Sequence, residues 1–422
     1  MPKVILQVYP TVGNTEEMLR KRPIGRDPEA YHNMLEGLVE LVKAADDLGY
    51  WGITHTEHHF HSEGLEISPA PLLLNAYLGT FTKRLNHGQL GIVLPPNDPI
   101  RIAEECAMVD HMLNGRFFAG FARGYQARWQ NVLGQKYNAV ATASDKSEAD
   151  ERNRQLFEEH FQIIKAAWTQ ELLRYKGATY EVPYPYEEGI KNWPPTQTTT
   201  LPYGTPGEVD ADGTVRGVSV VPKPYTQPHP KLFQAFGVSE RTLLWCGAEN
   251  VAPTILWGPM EGVENLARKY QEGAASVGRQ VPFGQDIGLC RTFHFVDDKS
   301  EIYEKAEKYE GPVWNGWYGP FGFMEGTRLP GEEGPVPKPN EHIADRLMNS
   351  GVLVAGSVDD VKRQIEKILN RVPLDYFIWL FHWGLIPRDE GLRQLETFTT
   401  KVMPAFGMEY SEPPKGVAQP VG

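Results

Sequence analysis

Four histidines lie within the seven-residue segment HTEHHFH, residues 55–61. Imidazoles beside a carboxylate suit acid–base catalysis, because histidine titrates near neutral pH, and they also suit metal binding. Alternate side chains of a strand share a face. If the strand continued through this segment, four potential metal ligands would lie on one face, namely His55, Glu57, His59 and His61. A zinc hydrolase therefore remains an alternative, although the only similarly placed histidines, His294 and His382, come with no acidic ligand motif.

Two further segments carry groups suited to an anion. In GRFFAGFARGY, residues 115–125, a buried strand pattern is followed by Arg123, a fixed cation, and by Gly124, which lets a ligand approach the backbone. A structural ion pair is the alternative role for Arg123.

In VSERTLLWCGAEN a helix is predicted to start near Ser239, and Thr242 lies in its first turn. The N-terminus of a helix attracts phosphate. Plain N-capping by Ser239 is the alternative there.

Strand-like apolar runs alternate with amphipathic helical stretches along the chain, which predicts βα units and a parallel sheet. Eight strands are predicted: Lys3 to Val8, Trp51 to Thr56, Gln89 to Leu94, Phe117 to Ala122, Leu232 to Ala235, Pro253 to Trp257, Asp286 to Phe295 and Tyr376 to Phe381. Helices are predicted at Tyr31 to Leu48, Ile100 to Leu113, Arg152 to Thr169 and Val358 to Leu369. Eight units indicate an α/β fold, a closed (β/α)8 TIM barrel, with an open doubly wound sheet as the alternative. The histidine tract would then lie at the C-terminal rim, where barrel enzymes hold their chemistry.

Two long segments interrupt this alternation within a predicted single domain, residues 1–410. Residues 174–231 are rich in Pro, Tyr, Thr and Gly, which favours a surface excursion without long helices. Residues 310–340 mix Gly and Pro with aromatics, and we interpret them as a mobile lid whose aromatics define the substrate pocket: Trp314, Trp317, Tyr318 and Phe321, with Phe323 beside them. Packing against a barrel helix or a dimer partner is the alternative. Residues 411–422 are predicted to be a disordered tail.

Composition excludes several classes of protein. Of 422 residues, 41% are hydrophobic and 23% charged, as in a globular protein with a large core. The net charge of -12 disfavours nucleic acid and anionic lipid as partners. No apolar run reaches the length of a membrane span, and the three cysteines form no CxxC pair. We therefore expect a cytoplasmic protein that acts on a small molecule.

The order of these motifs closely resembles the bacterial-luciferase-like flavin monooxygenases from the first strand to about Phe406. The resemblance rests on EHHF followed by GLEISP, on GIVLPPNDPIRIAEECAMVDHMLNGRF, on ARGY, on SERT, and on VAGSVDDVKRQI with FTTKVMPAF. Residues 126–150 and 174–231 and the aromatic segment align poorly. The resemblance implies a (β/α)8 barrel with long insertions.

The same resemblance implies the site. His58 corresponds to the family's active-site histidine, and its neighbours Glu57 and His59 are the other catalytic candidates. The groups that would bind the flavin are Arg123, Ser239 and Thr242 at the phosphate, the backbone at Tyr125 near the ring edge, and Leu90 and Gly91, where the family has a non-proline cis peptide. Val238 stands where luciferase has a glutamate, and Ala122 replaces its reactive thiol, which argues against light emission. No metal is expected.

The implied function is a two-component monooxygenase. A separate flavin reductase would supply reduced FMN, dioxygen would be trapped as a flavin hydroperoxide, and one oxygen atom would pass to a small organic substrate. A homodimer is expected. The alternatives are a deazaflavin-dependent oxidoreductase of the same fold, a metal-dependent barrel hydrolase, and a non-catalytic barrel subunit. The joint presence of His58, Arg123, Ser239 and Thr242 disfavours the last of these.

Overall fold

Eight parallel strands form the centre of the fold in the computed structural model, which describes residues 2–142 and 144–408. In chain order they are β1 (Lys3–Val8), β2 (Gly52–His55), β3 (Asn86–Gln89), β4 (Phe117–Ala122), β5 (Lys231–Gly237), β6 (Ala252–Ile255), β7 (Gly288–Phe295) and β8 (Tyr376–Phe381). Two further strands of the same sheet are Ile92–Val93 and Leu353–Gly356.

The sheet closes on itself. Its strand order is β7, β8, β1, β2, β3, β4, β5, β6, and β6 pairs again with β7. In a parallel sheet, residues whose Cα atoms are paired point their side chains to the same side. Gln7 is paired with both Leu380 and Thr54, so these three side chains lie in one layer. The predicted closed (β/α)8 barrel is confirmed, and the chain does not form the open doubly wound sheet.

Twelve helices of six or more residues accompany the strands in the described part of the chain. They are α1 (Thr15–Arg20), α2 (Pro28–Leu48), α3 (Pro71–Gly79), α4 (Pro99–Met112), α5 (Ala127–Leu133), α6 (Glu148–Thr169), α7 (Glu240–Glu249), α8 (Met260–Ser276), α9 (Ser300–Lys305), α10 (Ile343–Ser350), α11 (Val358–Arg371) and α12 (Arg388–Thr397). Short 3-10 or π turns lie at Ile24–Arg26, Gly134–Tyr137, Phe398–Val402 and Met403–Phe406. None of the described helices is both long and apolar enough to cross a bilayer.

Local sequence explains where the helices start and stop. Asp27 caps α2 by accepting hydrogen bonds from two backbone N–H groups, and Pro28 occupies the first turn. Gly49 ends α2 in the left-handed region with φ of 83°, where a side chain would be strained. Ser357 and Asp360 form a capping box at the start of α11. These signals are local, so the helix positions follow from the sequence.

Aromatic rings fill the barrel at the starts of the strands. Trp51, Phe118, Phe233 and Tyr376 form a ring in which each centroid lies 5.1–5.5 Å from the next. The Lys3 ammonium lies 5.5 Å from the Trp51 ring centre and 5.4 Å from the Tyr376 ring centre, within cation–π range. Because this end is packed with side chains, polar chemistry has room only at the opposite, C-terminal ends of the strands.

The described chain divides into two compact units. One contains the barrel and comprises residues 2–92, 118–121 and 231–408, and the other comprises residues 93–117 and 122–230. The single domain inferred for residues 1–410 stays a prediction. The predicted tail, residues 411–422, lies outside the described residues.

The second unit is built on α4 and α6, which pack together. The Trp168 indole on α6 donates a hydrogen bond to the Ala103 carbonyl on α4 at 2.9 Å. Residues 174–230 add only short elements, namely the antiparallel pair Tyr175–Lys176 and Glu181–Val182, a π turn Thr196–Thr200 and a single helical turn Leu201–Tyr203. The proline-rich composition of this stretch thus predicted correctly that no long helix forms there.

Residues 310–340 differ from the predicted loop. Successive helical turns of varying width run into this segment and through its first half, namely Ala306–Glu310, Gly311–Val313, Trp314–Tyr318, Gly319–Phe321 and Phe323–Thr327. Pro312 and Pro320 lie near the starts of two of these pieces, and neither has the backbone N–H that a regular helix would use there. The Gly and Pro content therefore breaks the segment into short turns rather than preventing helix.

Candidate active site

The histidine tract leaves the barrel at the end of β2 and returns on itself. The His58 N–H donates to the Ser68 carbonyl at 3.0 Å, which closes residues 58–68 into a compact loop. His58 is buried, with 6% of its surface exposed. Because its side chain is buried, the ring has few ways to reorient.

Glu66 is the acidic partner of His58. One Glu66 carboxylate oxygen, Oε2, lies 2.9 Å from Nδ1 of His58, and Thr56 Oγ1 lies 3.2 Å from the same nitrogen. Glu66 is itself buried and has a φ of 52°, a backbone conformation that residues other than glycine rarely adopt. The sequence analysis did not select Glu66, although it is the one acidic residue of the GLEISP motif.

The aromatic segment supplies two more donors to Glu66. The Tyr318 hydroxyl donates to Oε1 at 2.9 Å, and the Trp317 indole N–H donates to Oε2 at 3.1 Å. Burial raises the pKa of Glu66, but its interactions with His58, and smaller ones with His61 and Tyr318, outweigh burial and lower it. Glu66 is therefore a buried, ionised and fully hydrogen-bonded carboxylate.

The metal set that the sequence left as an alternative, His55, Glu57, His59 and His61, is not the group that the structure brings together. β2 ends at His55, so strand alternation does not extend to the residues that follow. His55 is fully buried beside the Val8 carbonyl, and burial lowers its pKa to about 4. The groups with potential ligand atoms within 4.8 Å of one another are His58, His61 and Glu66. Glu66 also accepts hydrogen bonds at both of its oxygens, as described above, so its carboxylate belongs to a hydrogen-bonded pair with His58.

The other two catalytic candidates pair with each other. His59 Nε2 lies 3.1 Å from the Glu57 carboxylate, and Glu57 is buried while His59 is partly exposed. The structure thus gives two neighbouring histidine–glutamate pairs, Glu57 with His59 and Glu66 with His58.

A second buried carboxylate lies at the ends of β7 and β8. Glu310 is fully buried and accepts hydrogen bonds from Nε2 of His294 at 2.9 Å and from Nε2 of His382 at 3.2 Å. Burial raises the pKa of Glu310, but the charges and hydrogen bonds of the two histidines outweigh burial and lower it to about 2. An acidic partner for these histidines was missed because Glu310 lies in a distant segment with no motif around it.

A small cavity lies beside Glu66 and His382. It is lined by Tyr9, Thr11, Leu65, Glu66, Val313, Trp317 and His382. Tyr9 stacks on His382 with ring centroids 5.5 Å apart, and the Trp317 ring packs edge-on against His61 at 4.8 Å. The lining is aromatic and apolar apart from the side chains of Thr11, Glu66 and His382.

The aromatic residues predicted to form the substrate pocket lie in different environments. Trp317 lines the cavity, and Tyr318 is buried against Glu66. Trp314 is buried with 1% exposure, whereas Phe321 is exposed. The role of these side chains as a substrate pocket, and of the segment as a mobile lid, stays a prediction.

The cofactor-binding role of the predicted residues stays a prediction, and the structure gives their local geometry. The Leu90–Gly91 peptide is cis, as the sequence resemblance implied. A Cβ at Gly91 would lie only 2.7 Å from the Gly120 carbonyl oxygen, so no larger residue fits there. Ser239 caps α7: its hydroxyl accepts from the Thr242 N–H at 3.3 Å and lies 2.9 Å from the Thr242 hydroxyl.

Arg123 and Tyr125 belong to the second compact unit. Arg123 donates to the Asp150 carboxylate at 2.6 Å and to the Ser144 hydroxyl at 2.8 Å, which is the ion pair considered as the alternative for this residue. The Tyr125 hydroxyl accepts from the Gln126 amide at 3.0 Å. Phosphate binding by Arg123 stays a prediction.

Known proteins resemble this chain over most of its length. The 3,6-diketocamphane 1,6-monooxygenase of Pseudomonas putida is 22% identical over 343 residues, which are 79% of this chain and 82% of that enzyme. Among solved structures, the oxygenating constituent of 3,6-diketocamphane monooxygenase of P. putida, a type II Baeyer–Villiger monooxygenase in complex with FMN, has a TM-score of 0.70 at 17% identity, covering 96% and 99% of the two chains. The coenzyme F420 dependent tetrahydromethanopterin reductase of Methanopyrus kandleri has a TM-score of 0.58 at 14% identity, covering 96% and 99%.

At these identities the structural matches show the fold alone. The family is shown by a sequence model described as luciferase-like monooxygenase, which matches residues 18–373. The chain therefore belongs to the luciferase-like monooxygenase family, and it is an oxidoreductase.

Proposed function

We propose that this protein is a flavin-dependent monooxygenase that uses reduced FMN and dioxygen to oxygenate a small organic substrate. The observation that carries the proposal is His58, buried at the C-terminal end of β2 and held by the Glu66 carboxylate at 2.9 Å. This arrangement provides an acid–base group in a site closed to bulk water, as oxygen chemistry on a reduced flavin requires.

The residues present fit a flavin-type cofactor. Two hydroxyls, those of Ser239 and Thr242, cluster at the N-terminus of α7, where backbone N–H groups favour a phosphate. Both polar atoms of the Gln7 amide and Oγ1 of Thr54 are buried without a hydrogen-bond partner among the described residues. Such atoms require polar groups from a ligand or from water. When bound, the flavin would supply the redox chemistry with dioxygen.

The protein side chains would orient and move protons. If Nδ1 of His58 donates to Glu66, the neutral ring carries its lone pair on Nε2, which can then accept or return a proton. Thr56 and Glu66 fix the plane of the ring. Tyr9, Leu65 and Trp317 would keep the adjacent cavity apolar.

A deazaflavin-dependent hydride transfer is the second candidate, because the M. kandleri reductase shares the fold. The EHHF tract, residues 57–60, and the sequence resemblance to the luciferase-like flavin monooxygenases favour FMN. Binding titrations separate the two: we expect reduced FMN to bind at least about tenfold more tightly than reduced F420, a difference of about 1.4 kcal/mol. Tighter binding of F420 would replace the proposal.

The function is tested by oxygen uptake and product analysis. Purified protein, a flavin reductase, NADH and FMN are incubated with panels of ketones, aldehydes, aromatics and organosulfur compounds under ¹⁸O₂. One labelled oxygen atom in a product, formed only when the protein is present, supports a monooxygenase. Hydrogen peroxide as the only product across the panel, with His58→Ala indistinguishable from the wild-type protein, contradicts it.

The reductase and a homodimer are further parts of the proposal. Support for the dimer comes from α3 and the turn after it, where Leu73 is 73% exposed and Tyr77 and Phe81 are 47% and 37% exposed. Exposed apolar patches commonly mark contact surfaces. Light scattering gives the oligomeric state of the wild-type protein and of the Leu73→Glu variant. If the wild-type protein is a monomer and the variant has the same mass, the homodimer is not part of the function.

A further inference from the structure

Glu66 connects two parts of the chain that are remote in sequence. Through Oε2 it accepts from His58, and through both oxygens it accepts from Trp317 and Tyr318, about 250 residues later. All three donors meet one carboxylate. The position of the aromatic segment and the orientation of the histidine are thus linked through a single side chain.

The placement of Glu66 is energetically costly. Transferring a carboxylate from water to a buried site is unfavourable unless hydrogen bonds replace its hydration. Glu66 is 3% exposed, and its φ of 52° adds backbone strain. Space filling alone would be served better by an apolar residue of similar size. The three donors account for the carboxylate, and one of them, Trp317, lines the same cavity as Glu66.

The aromatic segment is also fixed at its beginning. Glu310 immediately precedes it and is held between His294 on β7 and His382 just after β8. Residues 311–318 therefore run between two buried carboxylates, and Val313 and Trp317 from this stretch line the cavity. A segment held at both ends has a defined position, so its contact at Glu66 is reproducible rather than incidental.

We propose that Glu66 is a positioning residue that fixes the orientation and the tautomer of His58, and that Trp317 and Tyr318 act on His58 through Glu66. A carboxylate that accepts from one ring nitrogen of a histidine selects which nitrogen carries the proton. Trp317 and Tyr318 restrict the carboxylate to the rotamer that meets Nδ1. Withdrawal of either donor loosens this rotamer and, with it, the ring. This inference rests on the proposed function only where it is tested by catalysis.

The first test uses the protein without cofactor. Proton–nitrogen correlation spectra of ¹⁵N-histidine-labelled protein report which ring nitrogen is protonated, and His58→Gln identifies the His58 signals. We expect the Nδ1–H form in the wild-type protein and a mixture of tautomers in Glu66→Gln. An unchanged His58 tautomer in folded Glu66→Gln overturns the positioning role, whether or not the proposed monooxygenase activity is found.

The second test is a double-mutant cycle on catalysis with Tyr318→Phe. Glu66→Gln is expected to lower kcat roughly tenfold or more with little change in KM, because an acid–base group contributes by its geometry in the reaction step. Tyr318→Phe should lower kcat severalfold in the wild-type background and have no effect in Glu66→Gln. Equal effects of Tyr318→Phe in both backgrounds show that Tyr318 acts independently of Glu66.

The control variant is Tyr303→Phe. Tyr303 also donates its hydroxyl to a carboxylate, that of Asp345 at 2.7 Å, but this pair is exposed on α9 and α10. The same chemical change should leave kcat and the His58 tautomer unchanged. If Glu66→Gln does not fold, Tyr318→Phe alone decides: the proposal requires it to shift the His58 tautomer, and an unchanged His58 spectrum in this variant refutes it.

Discussion

Replacing Glu310 by glutamine should destabilise the protein in a pH-dependent way. Glutamine has nearly the shape of glutamate and resembles its neutral, protonated form. The variant therefore keeps the packing between His294 and His382 and removes the negative charge that their Nε2 atoms meet at 2.9 and 3.2 Å. The experiment isolates the contribution of the charge.

The magnitude follows from the pKa of Glu310. A shift from the usual 4.5 to about 2 corresponds to about 3 kcal/mol of stabilisation. Since the pKa is lower in the folded protein than in the unfolded chain, this stabilisation is fully present above pH 4.5 and is lost as the pH falls toward 2. About half of it should remain near pH 3.

The assay is thermal unfolding by scanning fluorimetry at pH 7 and at pH 3.5. An unfolding entropy of about 2.1 cal/mol/K per residue, scaled to the full chain, gives roughly 0.9 kcal/mol/K, so about 3 kcal/mol lowers the melting temperature by roughly 3–4 °C. The difference between wild type and variant should shrink at pH 3.5. The control is Glu325→Gln, which loses only an exposed pair with Arg328 and should shift the melting temperature by less than about 1 °C.

Two outcomes would refute this reasoning. A Glu310→Gln variant as stable as Glu325→Gln would mean that the two histidines do not stabilise the charge. A destabilisation that is equally large at pH 7 and pH 3.5 would mean that glutamine disturbs packing, because an effect of the carboxylate charge must weaken as the carboxylate becomes protonated.

Four further predictions concern the site. Arg123→Ala, and to a lesser extent Ser239→Ala, should weaken FMN binding in fluorescence titrations and leave riboflavin binding unchanged, because charge-assisted bonds to phosphate are lost; equal losses for both ligands would assign these residues structural roles. His58→Ala should reduce labelled product by roughly a hundredfold while flavin binding persists, and an unchanged product yield would remove His58 from the reaction. Deletion of residues 314–323 removes the buried side chains of Trp314 and Tyr318, so we expect both a lower melting temperature and release of hydrogen peroxide, whereas retained coupling would exclude the segment from the site. The chain has no GxGxxG fingerprint, so the pure protein should not oxidise NAD(P)H rapidly without a reductase, and fast oxidation would contradict the two-component scheme.

The strands were predicted best where they are apolar. The bounds of β1, β4 and β8 match their predicted ranges, because buried parallel strands form continuous apolar runs. β3 was placed too late in the chain: it spans Asn86–Gln89, a polar sequence that is nevertheless buried. The apolar residues that suggested the strand belong partly to the cis peptide at Leu90 and Gly91. Burial of polar residues depends on partners that a single strand does not reveal.

What the sequence determined by itself was everything encoded locally or by ordered motifs: the βα alternation, the helix start near Ser239, the family, and His58 as the first catalytic candidate. What only the tertiary structure decided was which charges meet. Glu66 and Glu310 became site residues because folding places each of them against histidines, and in the case of Glu66 also against two aromatic donors from a segment about 250 residues away. Side-chain pairing across such separations depends on three-dimensional distance and on the loss of solvent, and neither quantity is written in residue spacing.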